Sequence, residues 1–265
     1  MNEQKLSSDV TLSIITVARN DHRRLAVTIR SIERLYGDHR YEHIVIDGNS
    51  IDGTQKYLEQ YDHHINFRFL SESDNGIYDA MNKGARLATG HFLLFLNCGD
   101  RMLAYPDQLD RWLRPFKVEK NADIVCFDIL ECDGVRENKL QPDFAWPYRM
   151  PTSHQAMIFE ADFIRNQPYD TRYKIAADFG VYLKADRARV LIASECGFLT
   201  AVEAKGVASE HPLRSYMEYL KVISNDLHGA VKWLAMVRVG GKAILVILAK
   251  WILPASWLAL LHKYK

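Results

Sequence analysis

Three acidic clusters in this 265-residue chain each follow a short apolar run. Carboxylates at the carboxyl ends of parallel strands gather where ligands bind, so these clusters are the first places to look for chemistry. The first is Asp47-Gly48-Asn49-Ser50-Ile51-Asp52-Gly53-Thr54. Asp47 closes its run and is placed to accept hydrogen bonds from a base or ribose, whereas Asp52 or Thr54 reads as a cap for the next helix. The second runs from Ser73-Asp74-Asn75-Gly76 through Asp79, Asn82 and Lys83, where the charges also fit a solvated helix face. The third is Asn97-Cys98-Gly99-Asp100. Asp100 is the candidate ligand for Mg²⁺ or Mn²⁺, hard cations that need only one or two protein carboxylates when they share substrate phosphates. A plain turn is the competing reading of that segment. Further along, Asp178 on its own reads as a helix cap, and His211 as a residue of a solvated loop.

Strands alternating with helical patterns must position these residues, and this alternation predicts an α/β fold with a mostly parallel central sheet. Strands are expected over 11–18, 41–47, 67–70, 91–96 and 122–130, with a shorter one over 156–159. Leu25, Ile29, Ile32 and Leu35 repeat at helical spacing, as do Ile77, Met81, Gly84 and Leu87. A helix is also expected over 179–189, and the polar stretch 132–143 reads as a hairpin or loop. Hydrophobic residues make up 48% and charged residues 25%, which excludes a disordered chain, a collagen-like chain and a multi-span membrane protein. The four cysteines form no C-x-x-C pair, so neither a zinc site nor a disulfide framework is expected. The opening MNEQKLSSDV lacks the apolar core of a secretion signal, which predicts a cytoplasmic protein.

The ordered segments SIITVARN, VIDGNSIDGT, SDNGIYDAMNKGARLATGHFLLFLNCGD, SHQAMIF and YKIAADF resemble the family 2 glycosyltransferases of the GT-A fold, in particular the bacterial colanic-acid-type enzymes that build exopolysaccharide or O-antigen units of lipopolysaccharide. The resemblance covers about residues 11–190 and implies a Rossmann-like domain over 1–211, with a nucleotide-sugar half at 11–130 and an acceptor half at 131–211. It implies that Thr16, Ala18 and Asp47 surround the base and ribose, that Asp74 and Lys83 lie near the donor, and that Asp100 holds the cation. Asn97 stands where such enzymes usually carry an acid, so it offers a neutral oxygen. His154 and Gln155 fall where donor sugar and acceptor meet. Asp178 matches the base of inverting members, with Ala177 in place of the usual preceding acid.

The implied reaction is one displacement at an anomeric carbon, with a nucleoside diphosphate leaving. A divalent cation, Mn²⁺ or Mg²⁺, offsets the charge gained by the leaving group. A carboxylate beside the attacking hydroxyl takes its proton, and an ordinary aspartate is ionised at neutral pH. Nucleotidyl transfer and a catalytically silent sugar-nucleotide or membrane-binding module are the alternatives. No Gly-rich phosphate loop of the G-x-G-x-x-G or Walker type supports the former.

Beyond Asp226 the chain has six basic and no acidic residues, so this tail carries +6 against −5 for the rest. The sign split points to a surface partner. Ala243 to Leu261 is strongly apolar, but Lys250 in its middle disfavours a span. Residues 212–265 therefore read as a helical extension lying on the inner face of the cytoplasmic membrane, with Trp233, Trp251 and Trp257 at the headgroups. The alternative is a helical hairpin packed on the sheet domain or on a second subunit. A membrane location suits a polyprenyl-diphosphate-linked oligosaccharide acceptor, and no nucleic-acid partner is expected.

Overall fold

The computed structural model describes residues 10–119, 122–134, 136–193, 196–204, 206 and 210–252, with side chains described to 245. The first half alternates strictly. β1 (Leu12–Ala18), α1 (His22–Ile32), β2 (Tyr41–Asp47), α2 (Thr54–Leu58), β3 (Phe67–Ser71), α3 (Ile77–Leu87) and β4 (Phe92–Asn97) follow one another. Then come β5 (Arg101–Met102), α4 (Pro106–Glu119), β6 (Ile124–Cys126), β7 (Asp128–Cys132), β8 (Glu137–Leu140), β9 (Met157–Glu160), α5 (Ala161–Asn166), α6 (Ala177–Lys184), β10 (Val190–Ile192), β11 (Phe198–Glu203), α7 (Pro212–Asp226) and α8 (Gly229–Ile252).

The main sheet has the order β10-β6-β9-β4-β1-β2-β3, and only β9 runs against its neighbours. β1 and β2 are buried along their whole length because helices cover both faces, so β1 reads as a mainly apolar run while β2 buries Glu42, His43 and Asp47 beside Ile44, Val45 and Ile46. Leu12 pairs with Tyr41 and with Phe92, and Ala18 lies opposite Asp47 while Val17 lies opposite Asn97. Ala18, Asp47 and Asn97 thus end at one edge. The chain moves from β1 to β2 and β3 on one side, then returns to place β4 on the other. The gap between the carboxyl ends of β1 and β4 is therefore the switch point where such sheets bind ligands.

Close packing holds this edge in place. α3 crosses β1 and β2 so tightly that a side chain at Gly84 would strike Ile15 Cγ2. At the opposite edge, the buried Glu42 carboxylate accepts Ser13 Oγ at 2.6 Å, Thr89 Oγ1 at 2.9 Å and Arg68 Nη2 at 2.5 Å, tying β1, β2 and β3 to the loop after α3.

The expected strand over 122–130 is two strands. At Phe127 the chain leaves the main sheet for a second one, of order β5-β11-β7-β8, and the Phe127 N–H bonds Ala156 O at 2.9 Å across the junction. Apolar residues on both sides of the break hide it from periodicity. The polar stretch 132–143 contains the β7–β8 hairpin, and the helix expected over 179–189 is shorter, ending at Lys184.

α7 begins where the composition changes. It packs against α6 and folds back on α8, so Val222, Ile223, Ala235 and Val239 join the same core as β1. The inner face of the basic extension is therefore a hairpin on the domain. Its outer face leaves Trp233, Leu234, Val237, Ile244 and Leu245 exposed. No helix of the described residues is long and apolar enough to cross a membrane. The Trp257 reading, and the side chains of Lys250 and Trp251, lie outside the described residues.

Candidate active site

A crevice of about 450 Å³ opens at the β1/β4 switch point. Ala18, Asp74, Asn97, Asp100 and Gln155, all expected at the site from sequence, line it. Ala18 ends β1, and Asn97 ends β4. Asp74 arrives on the loop after β3, where its Oδ1 accepts the Gly76 N–H at 2.8 Å. Its other oxygen rests over Gly48, so closely that no side chain fits there.

Asp100 is only 4% exposed. Its Oδ2 accepts the Asn97 N–H at 2.7 Å, closing a tight turn through Gly99, whose φ of +95° favours glycine. Burial pushes the Asp100 carboxyl up to about 6, against the opposing pull of the Asn97 amide and of His154. The Asn97 side chain then faces His154, with Nδ2 3.3 Å from Nε2. On its far side His154 places Nδ1 3.4 Å from Asp178 Oδ2. Since Asn97 Nδ2 can only donate, this pattern assigns the ring proton to Nδ1, directed at the carboxylate.

Asp178 sits in the first turn of α6. Its Oδ1 accepts the Phe179 N–H at 2.8 Å and lies 3.4 Å from the Tyr78 hydroxyl. The amide end of a helix favours a negative charge there. Its side chain is 16% exposed, enough to meet a ligand but not to be loosely solvated. Burial, with the Asp178 charge as the next cause, pushes the neighbouring Tyr78 and Tyr169 hydroxyls well above their ordinary range, so both remain protonated beside it.

His154 and Asp178 are not among the residues that line the crevice, which they reach through Asn97, and the structure places three more expected residues elsewhere. Thr16 is fully buried, and its hydroxyl lies 2.9 Å from His43 Nε2, so its side chain does not face the crevice. Asp47 is fully buried as well, and its carboxylate is occupied by the Ser50 N–H at 3.1 Å, the Ser50 hydroxyl and the Ser71 hydroxyl at 2.6 Å. It pins two loops together beneath the crevice. Lys83 turns to Ser73 O at 2.6 Å and Glu72 at 2.8 Å, bracing the loop that carries Asp74 without lining the crevice. The cap position of α2 falls on Gly53 rather than on Asp52 or Thr54, and Asp52 just before it accepts Thr54 Oγ1 at 2.6 Å.

Sequence reasoning missed the cations of the crevice. Arg19 faces Asp74 at 3.9 Å, and Arg24 pairs with Glu203 at 2.8 Å and Asp21 at 3.3 Å. The only signal was their position, directly after β1 and in the first turn of α1.

A divalent cation fits the donor set on one observation. Asn97 Oδ1 is buried with no hydrogen-bond partner among the described residues, beside the Asp100 carboxylate. A lone buried carbonyl oxygen is costly unless a donor or cation meets it. Among the described residues no cluster of three His, Cys, Asp or Glu side chains could cage a metal, so a cation here would share its shell with substrate phosphates.

The sequence profile of the glycosyl transferase family 2 matches residues 13–187. An uncharacterized glycosyltransferase of Mycobacterium tuberculosis is 41% identical over 96 residues, 36% of each chain. A PGL/p-HBAD biosynthesis glycosyltransferase of Mycobacterium bovis is 29% identical over 176 residues, spanning 63% of this chain and 66% of that one. The matches thus cover from about a third to just under two thirds of these relatives' own length. Among solved structures, S. aureus TarS 1–349 in complex with UDP superposes with a TM-score of 0.66 at 19% identity, covering 86% of this chain and 70% of that one. The mannosyltransferase PcManGT from Pyrobaculum calidifontis, in complex with GDP-Man and Mn²⁺, gives 0.59 at 13%, covering 95% and 78%. The fold is therefore of the GT-A type. The glycosyltransferase names favour sugar transfer over nucleotidyl transfer or a silent binding module, and they carry the family without the colanic-acid subtype.

Proposed function

The chain belongs to glycosyl transferase family 2, and from that premise we propose that it is an inverting, metal-dependent transferase that moves a sugar from a nucleotide-sugar donor onto a polyprenyl-diphosphate-linked oligosaccharide in bacterial surface-polysaccharide assembly. One observation carries the reading. A continuous chain of contacts runs Asp100–Asn97–His154–Asp178, linking a candidate cation ligand that lines the crevice to a candidate base on the far side of His154.

In this reading Ala18 and Asp74 meet the nucleoside, and Arg19 and Arg24 add positive charge beside its diphosphate. Asp100 and the Asn97 amide oxygen would hold a divalent cation, which supplies charge neutralisation to the leaving diphosphate. The acceptor hydroxyl attacks the anomeric carbon from the face opposite the diphosphate. Its proton passes to the Asp178 carboxylate, its oxygen forms the new glycosidic bond, and the bond to the diphosphate breaks. His154 orients Asp178 through Nδ1–H and shields it from bulk water.

The exposed apolar face of α8, flanked by Lys232, Arg238 and Lys242, suits an anionic lipid surface and so a lipid-carried acceptor. The UDP and GDP-Man bound by the structural neighbours define the first donors to try. Purified protein incubated with a panel of UDP-, GDP- and TDP-sugars should release nucleoside diphosphate from one of them, faster with Mn²⁺ than with EDTA. Release from none, or release indifferent to EDTA, would overturn the reading.

A further inference from the structure

The loop that leads into Asp178 is held from a helix outside the family match. Glu218, in α7, is buried, and its Oε2 accepts three successive backbone N–H groups, from Lys174 at 2.9 Å, Ile175 at 2.7 Å and Ala176 at 3.2 Å. Those residues immediately precede α6, whose N-cap, Ala176, makes no side-chain capping bond. The peptide of Ile175 is gripped at both ends, because Tyr78 donates its hydroxyl to Ile175 O at 2.7 Å while also facing Asp178. Three charge-assisted bonds to one carboxylate oxygen fix a short segment far more sharply than apolar packing does. The rest of α7 reinforces the grip, through Tyr219 stacked on Phe179 with ring centroids 4.3 Å apart and Asn225 Nδ2 bonded to the Tyr173 hydroxyl at 2.7 Å.

We infer that Glu218 is a positioning residue for Asp178, holding the 174–176 backbone so that the carboxylate meets the acceptor hydroxyl. This rests on the reading of Asp178 as the base. Displacing a reacting group by about 1 Å costs on the order of 10² in rate, which sets the size of the expected effect.

The test uses the full chain and the panel nucleotide sugar that releases its diphosphate fastest with Mn²⁺. Glu218→Gln should lower kcat by about 10² while leaving the donor KM within about twofold. In an Asp178→Asn background the same change should produce no further loss, because the group it positions is gone. Val222→Ala, which opens a core cavity on the same helix, should lower the melting temperature yet leave kcat within about twofold. Should Glu218→Gln fail to fold, Glu218→Asp keeps the charge, shortens the reach and carries the same expectation. Glu218→Gln with unchanged kcat, or Val222→Ala with an equal loss, overturns the inference. Normal turnover in Asp178→Asn alone sinks the base reading instead, so the two failures are distinguishable.

Discussion

His154 stands between Asn97 and Asp178, its Nε2 3.3 Å from the Asn97 amide nitrogen and its Nδ1 3.4 Å from the Asp178 carboxylate. One imidazole thus joins the end of β4 to the start of α6. Replacing it by glutamine removes the group that faces Asp178 without emptying the space. His154→Gln should lower kcat by roughly 10 to 10² and change the affinity for nucleoside diphosphate little. Single-turnover rates beside UDP titrations check this, and an unaltered rate would mean that the imidazole only fills space.

Asn97 leaves the crevice one carboxylate short. Asn97→Asp puts a second anionic oxygen beside Asp100, and ligand charge count tunes affinity for hard cations. The Mn²⁺ concentration for half-maximal turnover should fall about tenfold. Asp100→Asn should raise it by at least as much. If Asn97→Asp leaves the Mn²⁺ requirement where it was, Asn97 Oδ1 does not face the cation.

The central elements were readable because β1, β2 and β4 are covered on both faces and so carry apolar runs, residues 14–15, 44–46 and 92–96 among them. The carboxyl end of β4 pointed to Asp100 as a candidate with a plain turn as its rival, whereas Asp74 and Asn97 were assigned to the donor by the family resemblance. Thr16, Asp47 and Lys83 had the right types in the right segments, yet their side chains are claimed by His43, by Ser50 and Ser71, and by Ser73 and Glu72. Nothing in a linear pattern says that Ser71 will meet Asp47 across a sheet. α4 and β11 were missed outright. The division of 122–130 at Phe127 was hidden for a related reason, since a strand that changes sheets keeps its apolar character.

His43 is wholly enclosed, and burial pulls its imidazole down to about 3. The unfolded chain takes up that proton near pH 6.5, while the folded chain refuses it until about 3. The stability this site confers is therefore complete above about 6.5 and declines as pH falls, by at most ~1.4 kcal/mol per unit. Between pH 7.5 and 5.0 the loss from this group is about 2 kcal/mol. Urea titrations at both pH values should show a pH dependence smaller by about that amount in His43→Gln. Equal dependence in the two proteins would contradict the burial argument.

α8 presents Leu234 and Val237 outward while Ala235 and Val239 face the core. Deleting the helix would remove core residues too, so charge on the outer face is the cleaner change. Leu234→Glu with Val237→Glu should abolish sedimentation with vesicles rich in phosphatidylglycerol and leave the melting temperature unchanged within a few degrees. Retained sedimentation would remove this face from the membrane account.

The central claim is that Asp178 takes the acceptor proton, next to a nucleotide site that is built by other residues. The most direct measurement pairs turnover with binding in Asp178→Asn. The account predicts nucleoside diphosphate release reduced by 10² or more, with UDP and Mn²⁺ binding by calorimetry unchanged within about twofold. Turnover at the parental rate, or a matching collapse of UDP binding, would contradict it.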